Sequence, residues 1–213
     1  MNDTPTPEEE TTPIAARLMR TQRAGIIVGV VSLIALSGGL YWGVTNQHWF
    51  ASNTNTKQSA VAKNAHGYTL NAPDAWTRVD PTPEGATVAF TAPKAESDNV
   101  ASFKPYIAVQ SIQLNQKSLN RSVEDLATSY TTKLADSYTN YKDLNTAAAT
   151  LGKDKDKAVL VKFSYLQGTA TVTEESLLTV KYGILYVVSG EALTATWDSH
   201  EPEIEKALLS FRP

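Results

Sequence analysis

The sequence predicts an α+β domain, an antiparallel sheet flanked by helices, preceded by a single transmembrane helix. Three observations carry this expectation. Residues Ala24 to Val44 form an apolar run of 21 residues without a charge. From Gly67 onward, short runs alternate apolar and polar residues and are closed by turn formers. One capped amphipathic stretch interrupts those runs after Ser122. The chain is accordingly divided into a tail at 1–23, a transmembrane helix at 24–44, a polar linker at 45–66 and an extracytoplasmic domain at 67–213.

The tail carries Pro5, Pro7, Pro13 and the acidic run Glu8–Glu10, a composition that favours disorder. Its Thr-Pro pairs are compatible with phosphorylation, although a plain solvated tail needs no modification. The run AGIIVGVVSLIALSGGLYWGV follows. As a helix it would extend roughly 31 Å at about 1.5 Å per residue, close to the ~30 Å hydrocarbon core of a bilayer. Arg17, Arg20 and Arg23 precede it, whereas the first cation after it is Lys57. Positive charge stays inside, so the N-terminus is expected in the cytoplasm and the C-terminal domain outside. Tyr41, Trp42, Trp49 and Phe50 cluster at the outer end, where amphipathic rings favour the interface.

A cleaved signal peptide is the rival reading. Ala35-Leu36-Ser37 places small residues where cleavage after Ser37 would need them, but the charged region ahead is long and the apolar run continues past that site. A lipoprotein anchor is excluded because the chain has no cysteine. A pilin-like subunit would carry a glutamate where this chain has Val30. The linker TNQHWFASNTNTKQSAVAKNAH then sustains no apolar period and reads as a tether.

In the domain, Tyr68-Thr69-Leu70 reads as a strand ending before Pro73, and Thr87–Thr91 as a strand with Val88 and Phe90 on one face. A charged loop from Pro93 to Lys104 leads to a strand over Pro105–Leu114, with Ile107 and Val109 facing one way and Ala108, Gln110 and Ile112 the other. Ser122-Val123-Glu124-Asp125 opens a helix whose stripe is Val123, Leu126, Ala127, Tyr130, Leu134, Tyr138 and Tyr141. After a polar turn at Gly152–Asp156, three strands are expected over Lys157–Leu166, Thr169–Tyr182 and Ile184–Ser189. Turns at Gln167-Gly168 and Tyr182-Gly183 make them an antiparallel meander. Pro202 is expected to begin a last short helix that buries Ile204, Ala207, Leu208 and Phe211.

Composition narrows the chemistry. Residues 45–213 carry 16 Lys+Arg against 18 Asp+Glu, and the one tight basic cluster, Lys153, Lys155 and Lys157, is interrupted by Asp154 and Asp156. No nucleic-acid partner is therefore expected. The absent cysteine removes disulfides, thiolate zinc sites and cysteine nucleophiles. His48, His66 and His200 show no ligand spacing, so no metal or cofactor is expected and the histidines read as surface or capping residues. Asp154 and Asp156 lack the further carboxylates of a calcium loop. Glu174 and Glu175 are neighbours on a strand and so face opposite sides, which prevents them from working together as an acid–base pair. Trp76 and Trp197 read as edge-of-core packing rather than the walls of a pocket. No catalytic, cofactor-binding or metal residue is assigned.

Tyr68-x-Leu70-x-x-Pro73-x-x-Trp76, closing an opening strand, resembles the start of the PsbP, DcrB and Mog1-like superfamily. The order of a strand pair, a helix near Ser122, a three-stranded meander and a last helix ending in Leu209-Ser210-Phe211 is similar too. The resemblance covers Gly67 to Pro213 and implies an α/β/α sandwich around an antiparallel sheet. Members are mostly non-enzymatic: extracytoplasmic lipoproteins, photosystem II accessory subunits and a nuclear-transport regulator. No functional motif of any branch is matched, and the transmembrane anchor departs from the lipoprotein pattern.

The expected function is a membrane-anchored, non-enzymatic binding or assembly module of the cell envelope. It would contact the lipid bilayer through residues 24–44 and take an envelope protein or small ligand as partner. One alternative is an envelope hydrolase whose residues converge only in space, which a deep polar pocket holding His200 with a carboxylate and a serine or threonine would favour. Another is a small signalling protein acting through its cytoplasmic tail, for which deletion of residues 1–16 would abolish function and leave insertion intact.

Overall fold

Successive side chains of a strand turn to opposite layers, and in the inner strands of the central sheet both layers are covered. The computed structural model describes residues 61–63, 67–80, 82–83, 85–97 and 102–213. The expected tail, the expected span at 24–44, His48, His66 and most of the linker lie outside the described residues. Among the described residues no helix is long and apolar enough to cross a membrane.

In chain order the elements are β1 (Val61–Lys63), β2 (Thr69–Asn71), β3 (Thr77–Arg78), β4 (Val88–Thr91), β5 (Glu96–Ser97), β6 (Ser102–Phe103) and β7 (Tyr106–Gln113). Then come α1 (Val123–Ser137), β8 (Thr139–Leu151), β9 (Asp156–Gln167), β10 (Ala170–Lys181), β11 (Ile184–Leu193) and α2 (Trp197–Leu209). Seven strands form one antiparallel sheet in the order β3-β4-β7-β11-β10-β9-β8. The β10–β11 hairpin turns at Tyr182 and Gly183, whose φ angles of 51° and 76° provide the left-handed pair that a tight hairpin needs.

The helices lie on opposite faces of this sheet. Val123, Leu126, Ala127, Tyr130 and Leu134 of α1 pack with Phe163, Val172, Leu178 and Val187. Ile204, Ala207 and Leu208 of α2, followed by Phe211, pack with Ile107, Leu177, Val188, Tyr68 and Leu70. The architecture is therefore helix, sheet, helix, as the resemblance implied. Burying a side chain such as Phe163 or Leu177 contributes roughly 1.5–3 kcal/mol. Helix α2 comes so close to the sheet that a Cβ built on Gly190 would overlap Ile204 Cγ2.

Five local expectations need correction. Helix α1 opens as predicted, with Ser122 Oγ accepting from the Asp125 amide at 3.0 Å, but it ends at Ser137. Tyr138 has extended backbone, and its ring stacks on Tyr165 at 4.0 Å between centroids; Tyr141 sits on β8. Two tyrosines thus continue the apolar stripe after the helix has stopped. β8 itself was not expected, because its side chains are largely exposed and show no apolar alternation. Helix α2 begins at Trp197, five residues before Pro202. Pro202 lies inside it, near enough to the start that only the bond to the Asp198 carbonyl is lost. Within the loop expected at Pro93–Lys104, β5 and β6 pair as a short hairpin. β1, which falls within the stretch expected to be linker, pairs with β2.

Candidate functional site

Three polar clusters lie in or against the two cores. The first follows from the alternation that separates Glu174 from Glu175. Glu174 faces the α1 side and stands directly across from Glu191 on β11. Both carboxyls are about 3% exposed. Glu174 Oε1 accepts from Ser176 Oγ at 2.6 Å and from the Tyr130 hydroxyl at 3.3 Å. The Tyr106 hydroxyl donates to Glu191 Oε1 at 2.5 Å, and Ser176 and Ser189 hydroxyls meet at 2.6 Å. Tyr130 reaches the cluster from α1, Tyr106 from β7.

Burial pushes the Glu191 carboxyl well above the usual carboxylate range, and the facing Glu174 pushes it further. Burial raises Glu174 as well, opposed by hydroxyl donors and by Glu191. Two carboxylates this close cannot both ionise in a dry core, so the pair shares a proton. Burial likewise drives the phenols of Tyr106, Tyr130 and Tyr165 well above their usual value. The cluster is a sealed acid pair roofed by α1, out of reach of any substrate in this conformation.

Glu175 points the other way. Its partner is Lys162, at 3.8 Å, and Lys162 also hydrogen-bonds Glu201 of α2. The Lys162 ammonium lies 5.8 Å from the Trp197 ring centroid. Burial opposes the Lys162 charge, but the surrounding carboxylates outweigh it and raise the pKa. Burial raises Glu175, with Lys162 pulling it back down. Trp197 is 5% exposed and belongs to the α2-side core, as its reading as edge-of-core packing expected.

The third cluster surrounds His200, on the first turns of α2. Its Nδ1 meets Glu203 Oε1 at 2.7 Å and its Nε2 meets Glu96 Oε1 of β5. The Thr196 hydroxyl donates to the other Glu96 oxygen, and the Trp76 ring stands edge-on to the imidazole, with centroids 6.5 Å apart. Burial alone would lower the His200 pKa; the hydrogen bonds to Glu203 and Glu96 and their charges outweigh it and raise it. With a carboxylate at each nitrogen the doubly protonated ring is favoured over either neutral tautomer, and neither nitrogen is left facing open space. An imidazolium has no lone pair to take a proton from a nucleophile or to bind a metal. Thr196, the nearby hydroxyl, donates to Glu96 and not to the ring. The trio of histidine, carboxylate and threonine named as a hydrolase signature is therefore present in composition and reversed in wiring.

Of the other residues weighed, Asp156 pairs with Lys181 at 2.7 Å, and Asp154 lies in the turn between β8 and β9. A shallow groove of about 480 Å³ on α2 is lined by Pro202, Glu205, Lys206, Leu209 and Ser210. Sequence reasoning did not find Glu191, Glu96 or Glu203. Glu203 stands three residues after His200, a helical spacing readable once α2 starts at Trp197. The other two depend on strand register and on a hairpin.

The family described as PsbP matches residues 56–213. No curated protein gives a significant match. The fold is similar to that of cyanobacterial PsbP (CyanoP) from Synechocystis sp. PCC 6803, with a TM-score of 0.54 at 15% identity over 76% of this chain and 98% of that one. PA94 from Pseudomonas aeruginosa, a protein of unknown function, gives 0.51 at 12% identity over 72% and 96%. LpqN of Mycobacterium tuberculosis, involved in cell envelope biogenesis, gives 0.50 at 14% identity over 69% and 84%.

Proposed function

The chain belongs to the PsbP family, and from that premise we propose that it is a non-enzymatic binding or assembly module of the cell envelope. Residues 24–44 hold it at the outer face of the cytoplasmic membrane, with the N-terminus inside and residues 67–213 presented outside. Its partner is an envelope protein or a small ligand.

One observation carries the non-enzymatic reading: His200 is clamped by carboxylates at both ring nitrogens. A hydrolytic histidine needs one nitrogen free to face its nucleophile. Support for the envelope comes from the uncharged run at 24–44 with arginines ahead of it and from the LpqN-like fold.

The test uses the full chain in intact cells. Protease added outside is expected to cut the domain without lysis; a domain cut only after lysis overturns the topology. Crosslinking in the same cells is expected to trap envelope proteins, and a His200→Gln variant is expected to trap them equally well. Labelling by a hydroxyl-directed fluorophosphonate that disappears in both Thr196→Ala and His200→Gln would establish a hydrolase instead.

A further inference from the structure

Strand register sets Tyr106, Glu191, Glu174 and Phe163 in one row across the α1 face, from β7, β11, β10 and β9 in turn. The exposed end of the row is Asp143 of β8, which stands across from Phe163 and accepts from the Tyr141 hydroxyl at 2.6 Å. The two acids at its centre lie under α1, whose Tyr130 hydroxyl meets Glu174 Oε1 at 3.3 Å and Ser176 Oγ at 3.2 Å. The other ionisable groups turned towards the pair are phenols: Tyr106 from β7, Tyr165 from β9, Tyr141 from β8, and Tyr138 where α1 ends. No lysine or arginine is among the groups that act most strongly on either acid. Among the described residues no hydroxyl, amide or cationic group donates to Glu191 Oε2. A second charge on the pair would therefore be left without solvation.

The elements around the row are not held alike. β7, β9, β10 and β11 each hydrogen-bond a strand on both sides. Helix α1 keeps its backbone bonds within itself and its caps, and it sits on the sheet through side chains alone: Val123, Leu126, Ala127, Tyr130 and Leu134. We propose that the Glu174–Glu191 pair is a proton-operated catch for α1: the helix is seated while the two acids share a proton, and it lifts from the sheet when both are ionised.

The sign follows from where the proton is held. With α1 lifted, water reaches the pair and its carboxyls titrate near the ordinary value of about 4.3. With α1 seated, burial and the facing acid hold the proton to higher pH. Seating is therefore strongest below the ordinary value and weakens as pH rises towards the raised one, by up to about tenfold per pH unit for one proton. Lifting α1 is the smallest movement that brings water to the pair, because reaching it from the sheet side means parting strands that are bonded on both edges. The lifted state uncovers Phe163, Val172, Leu178 and Val187, the apolar bed of the helix.

The test is hydrogen exchange of the full-length chain in detergent micelles, read by mass spectrometry on peptides from α1 and α2 between pH 6 and pH 8. After correction for the intrinsic pH dependence of exchange, opening of α1 is expected to exceed that of α2 and to grow by up to about tenfold per pH unit. Low concentrations of urea separate lifting from unfolding: they should leave α1 exchange nearly unchanged, since lifting exposes little surface, and accelerate that of α2. Glu191→Gln, which cannot ionise, is expected to keep α1 at the parent's acid level across the range. If that variant fails to fold, Glu174→Gln removes the other acid and carries the same expectation. Exchange of α1 that does not change with pH overturns the proposal, as does a glutamine variant that keeps the parent's slope. So does opening of α1 and α2 together with one urea response, because the pair would then bear on global unfolding alone. None of these readouts depends on the tether or on the side of the membrane that the domain occupies.

Discussion

On the α2 face the sheet and helix bury Ile107, Leu177, Val188 and Leu208, and the buried charge there is paired, Lys162 meeting Glu175 and Glu201. On the α1 face the same strands bury two carboxyls and three tyrosine hydroxyls in the centre of the core. The difference originates in one dipeptide. Glu174 and Glu175 are adjacent, and the pleat sends one to each face. Glu175 keeps company with a cation, while Glu174 meets a second acid and the pair gives up a charge. Two remedies for a buried carboxyl, a counterion and a shared proton, thus operate one residue apart.

The largest expected effect tests how closely the α2 face is packed. Gly190→Ala places a methyl group into Ile204 Cγ2. Because the obstacle is a β-branched core side chain that is fully buried, neither partner has room to yield. The expected loss is about 3 kcal/mol, measured by denaturant unfolding. Adding Ile204→Ala should recover part of it, so that the double variant is more stable than the sum of the singles predicts. Strict additivity would show that α2 does not bear on the sheet at this point.

A smaller and pH-dependent effect tests the α1 face. Glu191 binds its proton more tightly in the folded chain than in the unfolded one. Above the unfolded value of about 4.3, folding takes up a proton, so stability declines as pH rises from there towards the raised folded pKa. Glu191→Gln keeps an acceptor for the Tyr106 hydroxyl and has no charge to lose. It should match the parent at pH 5 and exceed it by roughly 1–3 kcal/mol at pH 8. A parent whose stability is flat between those values, or a variant destabilised at both, would refute the shared proton.

These features differed in how far they could be read in advance. β7, β9, β10 and β11 were legible because both faces are covered and their alternation is strong in Ile107, Val109, Val161, Phe163 and Val188. β8 was hidden by its position: an edge strand that exposes most of its side chains has no apolar signature, although its backbone pairs with β9 along its length. Tyr138 and Tyr141 misled by falling at helical spacing while stacking on Tyr165 and Phe163 from a turn and a strand. The start of α2 was misplaced because Pro202 is a strong signal at a helix's first turn, and the capping hydroxyl that would have marked Thr196 is used elsewhere, on Glu96. The acid pair was half legible. The strand separates Glu174 from Glu175, but Glu191 joins Glu174 only through a register set by the Tyr182-Gly183 turn.

The smallest effect returns to the α2 face, where a charge is held by partners. His200 joins β5 to α2 through Glu96 and Glu203. Its pKa is raised on folding, so its contribution is full below the unfolded value of about 6.5 and fades as pH rises through the folded one. His200→Gln should therefore cost about 1 kcal/mol at pH 5.5, the scale of a partly exposed ion pair, and progressively less towards pH 9. Relative to the parent both variants gain stability as pH rises, because both groups bind a proton more tightly in the fold, but His200→Gln lies below the parent in acid whereas Glu191→Gln lies above it in base. Measuring both variants by thermal unfolding at pH 5.5 and pH 9 would separate the two faces by the sign of the stability difference, a deficit at pH 5.5 for His200→Gln and a surplus at pH 9 for Glu191→Gln. A His200→Gln deficit that is equal at both pH values would mean that the imidazole is neutral in the fold. The wiring that excludes it as a base would then have to be redrawn.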